Sequence, residues 1–401
     1  MDLDKLFDLS AAKMATMPVS LLLPETVDTH VHCRLKKTGQ MAMVVTACAG
    51  EHGTIVDIPN VPSITTIKAM QERRMEILSC VPTGQHLQVL MTPLINDKTD
   101  PDMIRSAWDR PDGVEELHGV KIFWQGVSND YGNSVSSAVA IKPLIQSTTK
   151  QFVYKSRPLP VTLHAECSKD YSGNEIPIKD REFWCVVNEV EKIVKMNPEG
   201  TYVIRHISDY RTLEKIADWQ AHRINIHGEV SPQYVILIDD DLFKSDEDHA
   251  MLQCNCIFWP RPKDKRSQLA IRKAALSGVP WLHIGTDYAM HLDDMTQEKG
   301  VKINSRGEAV GGLNFLPSVA KSLLIDFFMS RNREDLLAPM LSENAAKLYG
   351  IRDIQISDRR IKYIRKDWKV PEYSFGETPE GKPVRSVCFL RGHTMHWQRA
   401  A

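Results

Sequence analysis

The residues best equipped for chemistry open a short run near the start of the chain, Asp28-Thr29-His30-Val31-His32-Cys33-Arg34. On an extended strand, residues two apart project to the same face. His30 and His32 can therefore approach one cation together, with Arg34 one step further along that face. Imidazole nitrogens are common ligands of Zn²⁺ and related ions. Taken alone, the pair reads better as two ordinary surface histidines.

Four later positions change that balance. Lys121 sits inside the apolar run Gly119-Val120-Lys121-Ile122-Phe123. A lysine aimed into a core is a costly buried charge unless its chemistry is used; otherwise its stem snorkels to the rim. His164 closes Pro160–His164, His206 closes Tyr202–His206, and Asp287 closes His283–Asp287. Each alone reads as a satisfied structural residue. Together they put metal-competent groups at the ends of five separate strand candidates.

Those residues must be positioned by something. Short β-branched runs alternate with longer helical patterns, the signature of βα units and a parallel sheet. Eight strands are predicted: Thr26–Arg34, Thr54–Pro59, His86–Leu94, Gly119–Phe123, Pro160–His164, Tyr202–Ile207, Ile224–Glu229 and Trp281–Asp287. Ile64–Leu78, Lys265–Ser277 and Ser318–Met329 read as helices with one apolar face. The expected fold class is α/β, a (β/α)8 TIM-type barrel, whose sites gather at the strands' C-terminal ends. A doubly wound open sheet is the alternative, although no Gly-rich phosphate loop follows the first strand. The expected divisions are an N-terminal extension at 1–24, the barrel at 25–352, and an irregular, charged C-terminal arm at 353–401.

Lys plus Arg is 50 and Asp plus Glu is 51, so the net charge of -1 leaves no basic footprint for nucleic acid or an anionic membrane. The eight cysteines form no C-x-x-C pair, and Cys254-Asn255-Cys256 is not a zinc-ribbon spacing. Reduced thiols suit a cytoplasmic protein. Charged residues in Met1–Val19 interrupt any signal-peptide core, and no apolar run has membrane-spanning length.

These motifs, in this order, resemble the amidohydrolase superfamily and, within it, dihydroorotases of the single-function, class II type. The resemblance runs from about Thr26 to Gly350. It is carried by Asp28-x-His30-x-His32-x-Arg34, Ile58-Pro59-Asn60-Val61-Pro62 with Thr65-Thr66, Lys121, and His164-Ala165-Glu166. His206, Gly285–His291 and Asn344–Gly350 complete it. It implies a metal-dependent cyclic amidohydrolase with two Zn²⁺ per chain. His30, His32 and Asp287 would hold one ion, His164 and His206 the other, and N6-carboxylated Lys121 would bridge them. Two such ions can share and activate a hydroxide, with Asp287 moving its proton to the leaving nitrogen.

The same resemblance implies reversible hydrolysis of L-dihydroorotate to N-carbamoyl-L-aspartate in pyrimidine biosynthesis, by a cytoplasmic homodimer. Arg34, Asn60 and His291 would receive the substrate carboxylate, and Trp259 and Val310 would offer backbone contacts. Asn60 reads equally as an Asx turn before Pro62, and Arg34 as half of a structural ion pair. The chain has Asp287-Tyr288-Ala289-Met290-His291 where the family usually has Asp-Ser-Ala-Pro-His. Gly126–Gly132 replaces a lid that often carries a Thr-Thr pair. Hydrolysis of a hydantoin, dihydropyrimidine or allantoin is the alternative within the chemistry. A non-catalytic assembly partner is the alternative outside it. His52, His227 and His283 have no part in the scheme, except that His283 could support a ligand from behind.

Overall fold

The structure is a computed structural model. It describes residues 2–60, 62–109, 117–127, 133–148, 157–242, 258–292, 302–303, 309–310, 314–351 and 359–400. Positions 128–132 of the lid stretch, Val61, Cys254 and Cys256, and the expected boundary at 352/353 lie outside the described residues.

Strands are numbered in chain order. After β1 (Ser20–Pro24) come β2 (Val27–His32), β3 (Thr54–Asp57), β4 (Gln88–Met91), β5 (Val120–Ile122), β6 (Pro160–Leu163), β7 (Thr201–Ile204), β8 (Ile226–Val230), β9 (Leu282–Ile284) and β10 (Tyr288–Ala289). One parallel arc runs β10-β2-β3-β4 and a second runs β5-β6-β7-β8-β9. Parallel bridges from Met91 to Leu117 and from Leu94 to Lys121 join the flanks of β4 and β5. At the other end, β9 passes through Gly285, Thr286 and Asp287 directly into β10. All eight predicted strands are therefore present, each shorter than expected. Their outer residues leave the ladder to form the site.

Strands β2 to β7 are buried on both faces at nearly every position. That explains their Val/Ile-rich runs, because helices cover one face while the other faces the interior. Helix Ile67–Leu78 starts three residues later than predicted, where Thr66 accepts a hydrogen bond from the Ala69 amide. Asp209 and Asp264 cap helices Tyr210–Ala221 and Lys265–Ala275 in the same way. The third predicted amphipathic helix, found at Pro317–Ser330, is buried almost all round.

What encloses it is the part of the chain expected to be irregular. Beyond two short pairing strands, β11 (Lys302–Ile303) and β12 (Ala309–Val310), come β13 (Arg360–Lys369), β14 (Tyr373–Glu377), β15 (Pro383–Val387) and β16 (Thr394–Arg399). β1, β13 and β16 form an antiparallel sheet, and β14 and β15 form a hairpin. The irregular C-terminal arm is thus corrected to ordered β-structure. Its charges disguised it: in β13, Ile361 and Tyr363 point inward while Arg360 and Lys362 face solvent. Trp397 of β16 donates from its indole nitrogen to Asp326 (3.0 Å), and its amide donates to Ser322 (2.9 Å), both on the buried helix. The N-terminal extension is tied in as well, through β1 and through Phe7, whose ring lies 5.7 Å from that of Phe327. Among the described residues no helix is long and apolar enough to cross a membrane.

Candidate metal centre

Parallel pairing brings the C-terminal strand ends to one side. Lys121 pairs with Thr162, Leu163 with Ile204, and Ile204 with Gly228. His164, His206 and Asp287 follow one, two and three residues after the ends of β6, β7 and β9. Three residues there have left-handed backbones: Arg34 (φ +58°), His206 (φ +39°) and Asp287 (φ +55°). Non-glycine residues adopt that region at a cost, and such strain concentrates at functional sites.

The first group is His30, His32 and Asp287, whose ligand atoms lie close enough together to hold one metal ion. The Nε2 atoms of His30 and His32 are 3.3 and 3.2 Å from the same oxygen, Oδ1 of Asp287. Each ring is fixed from behind through Nδ1. That of His32 donates to the Ile58 carbonyl (2.5 Å), and that of His30 faces Glu229 Oε1 (2.7 Å). A carbonyl only accepts, so the His32 proton sits on Nδ1 and the Nε2 lone pair is left for a ligand.

The second group is His164 and His206. His164 Nδ1 and His206 Nε2 approach to 2.9 Å, while His164 Nε2 lies 3.2 Å from Glu166 Oε2. The His30 and His206 rings stack with centroids 5.2 Å apart, so the groups are contiguous. Burial pushes His30 down to about 4 and holds His32, His164 and His206 below the ordinary imidazole value. All four are neutral at pH 7, the state a metal requires. Burial raises Asp287.

Lys121 is wholly buried, 4.7 Å from the Phe123 ring, and its Nζ has no hydrogen-bond partner among the described residues. Burial and then the neighbouring Arg205 guanidinium hold its amine well below the usual range. A buried amine with no hydrogen-bond partner among the described residues, beside four imidazoles and a carboxylate, fits a metal centre. The donor set passes that test.

Sequence reasoning missed the carboxylates behind the histidines. Glu229 accepts from the Thr29 hydroxyl (2.7 Å) and the His206 amide (3.3 Å) and pairs with Arg205. Burial alone would raise its carboxyl, but Arg205 and His30 hold it well below the ordinary value. Glu166 is fully buried beside His164. Arg205, charged and inside a strand run, was the available signal: such a residue demands an acid, and Glu229 ends part of the next strand. His52 also has a place, 3.5 Å from Asp28. Asp28 ties the two ligand-bearing ends, accepting from the amides of His30 (3.1 Å) and Thr286 (3.0 Å). His283 is buried with Nε2 3.9 Å from Glu229 Oε2, and His227 bonds Asn225 (3.0 Å).

Arg34, Asn60 and His291 do meet. One terminal nitrogen of Arg34 donates to Asn60 Oδ1 (2.9 Å) and the other lies 2.9 Å from His291 Nε2. The Asn60 oxygen therefore serves Arg34 rather than a turn. Arg34 holds an amide and an imidazole rather than a carboxylate, which leaves its charge for something else. The Trp259 ring has the guanidinium groups of Arg181 (5.1 Å) and Arg261 (5.3 Å) over it, and none of its described contacts is with this cluster. Val310 pairs with Lys302 in the β11–β12 ladder.

No protein-family model matches the chain. Known relatives do, along nearly its whole length. The chain is 25% identical to the dihydroorotase of Idiomarina loihiensis over 382 residues, covering 94% of this chain and 98% of that protein. It is 26% identical to the mitochondrial dihydroorotase of Arabidopsis thaliana over 397 residues, covering 98% and 94%. Among solved structures, the Saccharomyces cerevisiae dihydroorotase in complex with 5-fluoroorotic acid superposes with a TM-score of 0.77 at 20% identity, covering 96% of this chain and 99% of that one. An L-hydantoinase from Arthrobacter aurescens gives 0.67 at 17% identity, covering 95% and 83%. Along nearly its whole length the chain is similar to dihydroorotases, and its fold is that of solved dihydroorotase and hydantoinase structures.

Proposed function

We propose that the chain is a dihydroorotase, opening the cyclic amide of L-dihydroorotate to N-carbamoyl-L-aspartate and closing it in reverse. The observation that carries this is one contiguous arrangement. Imidazole nitrogens, the Asp287 carboxylate and an orphaned buried lysine converge beside an arginine whose partners are neutral.

The parallel arcs are best read as one eight-stranded (β/α)8 barrel, since bridged strands close one junction and the β9–β10 continuation closes the other. The three-stranded antiparallel sheet is a flanking unit built from both chain ends. In this reading His30, His32 and Asp287 would hold one zinc ion and His164 and His206 a second, with carboxylated Lys121 a further ligand of the centre. When bound, such ions make water acidic at neutral pH and polarise the carbonyl to be cleaved.

The chain's own residues do the rest. Neutral His30 and His32 keep their Nε2 lone pairs forward because Glu229 and Ile58 occupy the other nitrogen. Asp287 takes the nucleophile's proton on a carboxylate oxygen and returns it to the departing amide nitrogen. Burial raises its affinity for that proton, which suits an acid–base role. Arg34 grips the ring's carboxylate, and Asn60 and His291 hold the guanidinium in line before substrate arrives. A neutral hydantoin has no carboxylate to satisfy that group, which favours dihydroorotate. Turnover of dihydroorotate measured with zinc content tests the proposal. Zinc-loaded protein that turns over hydantoin but neither dihydroorotate nor N-carbamoyl-aspartate would overturn the substrate.

A further inference from the structure

Every strand that ends at the centre from β5 to β9 carries a proposed ligand except β8. What β8 brings instead is Glu229, a fully buried carboxylate. Its oxygens reach past β9 to β2 and back to β7. Oε1 faces His30 Nδ1 at 2.7 Å and accepts from the His206 amide at 3.3 Å; Oε2 accepts from the Thr29 hydroxyl at 2.7 Å. Arg205 pairs with the same carboxylate and also donates to the Thr29 carbonyl (2.6 Å) and the Tyr349 hydroxyl (2.7 Å). The pair is thus wired to the backbone of β2 and to the side chain of Tyr349 in helix Asn344–Tyr349.

Two constraints follow. Acceptance by Glu229 places the His30 proton on Nδ1, turning Nε2 toward Asp287, and a charged acceptor makes that imidazole a stronger base. The bond to the His206 amide anchors a residue whose left-handed backbone (φ +39°) does not hold itself. We propose that Glu229, neutralised by Arg205, is a positioning residue that aligns His30 and His206 at once, so that one carboxylate sets a ligand in each half of the metal centre. This rests on the metal-centre reading above. It goes beyond it by naming what couples the two groups of ligands.

A buried ion pair kept only for packing is the competing role, and metal affinity separates the two. The full-length chain is prepared as wild type, as Glu229→Gln, and as the double variant Glu229→Leu with Arg205→Met. The double variant removes both charges together, so no unpaired buried charge remains to unfold it. Zinc affinity is read by chelator competition, ligand geometry by the visible spectrum of the Co²⁺ form, and stability by melting of the metal-free protein. The double variant is expected to melt near the wild type yet bind zinc about 10- to 100-fold more weakly, with an altered Co²⁺ spectrum. Glu229→Gln keeps an acceptor for His30, so it should lose less affinity and retain the wild-type spectrum. If the double variant does not fold, Glu229→Gln decides alone: unchanged zinc affinity at lowered stability makes the pair structural. Unchanged affinity in the folded double variant overturns the proposal as well. Wild-type protein that binds no zinc overturns the metal-centre reading instead, a result these variants do not mimic.

Discussion

The two halves of the candidate site are held in different ways. On the metal side, His30, His32 and His164 are each fixed from behind by a buried acceptor: Glu229, Ile58 and Glu166. On the proposed carboxylate side, Arg34 reaches Asn60 and His291 directly. The first arrangement is rigid scaffolding aimed inward. The second rests an arginine's terminal N–H donors on side-chain groups that a ligand can replace. A centre that must fix ions to within tenths of an ångström needs the former. A receptor that binds and releases a product is better served by the latter.

That contrast predicts different failures. Lys121→Ala removes a ligand from the braced half, so its loss should exceed the 10- to 100-fold typical of an outer partner, reaching about 10³-fold or more in kcat/KM. Bound zinc should fall with it. Full metal content in an inactive Lys121→Ala protein would break the assignment of Lys121 to the centre. Arg34→Met attacks the other half. It should cost about 10²-fold in kcat/KM, as expected for a lost hydrogen-bonded charge contact of roughly 2–3 kcal/mol, with zinc content unchanged. Zinc loss in Arg34→Met would show that the halves are not separate. Asn60→Ala takes away only the group that aims Arg34, so a rise in KM of about tenfold with kcat preserved is expected. A kcat effect larger than the KM effect would move Asn60 from the receptor to the chemistry.

The same contrast governs what the sequence reveals. The candidate ligands were legible because each ends or interrupts an apolar run, and a charged or imidazole side chain there has few other uses. His30, His32, Lys121, His164, His206 and Asp287 were singled out that way; the structure places His30, His32 and Asp287 together and His164 and His206 beside them, with Lys121 buried 4.7 Å from the Phe123 ring. The braces were not legible. Glu229 and Glu166 look like ordinary acids beside strand ends, and only three-dimensional pairing gives them histidines to hold. The eight strands were read from β-branched runs, but their ends were overextended, since burial continues past the strand ends at Cys33, His164 and Thr286. The C-terminal strands were hidden for the opposite reason. Only one face of β13 is buried, and its exposed lysines and arginines dominate the composition.

The periphery offers the mildest test of bracing. His396 on β16 lies 2.9 Å from Asp367 on β13 and 3.1 Å from Asp4 in the N-terminal helix Leu3–Phe7, so it clamps the two chain ends together. Partial burial opposes its protonation, but the hydrogen bonds to Asp367 and Asp4, with Asp326 nearby, raise it above the ordinary imidazole value. The folded state therefore holds this proton more tightly than the unfolded chain. Its stabilisation is complete below the unfolded value, about 6.5, and disappears as pH climbs through the raised folded one. His396→Gln should lower the melting temperature by a degree or two at pH 6, corresponding to roughly 1 kcal/mol or less, and barely at all at pH 9. Zinc content and kcat/KM should not change at either pH. An equal loss of stability at both pH values would mean that His396 acts by packing. A change in kcat/KM would mean that the flanking sheet reaches the braced centre, and the division between held and holding regions would have to be redrawn.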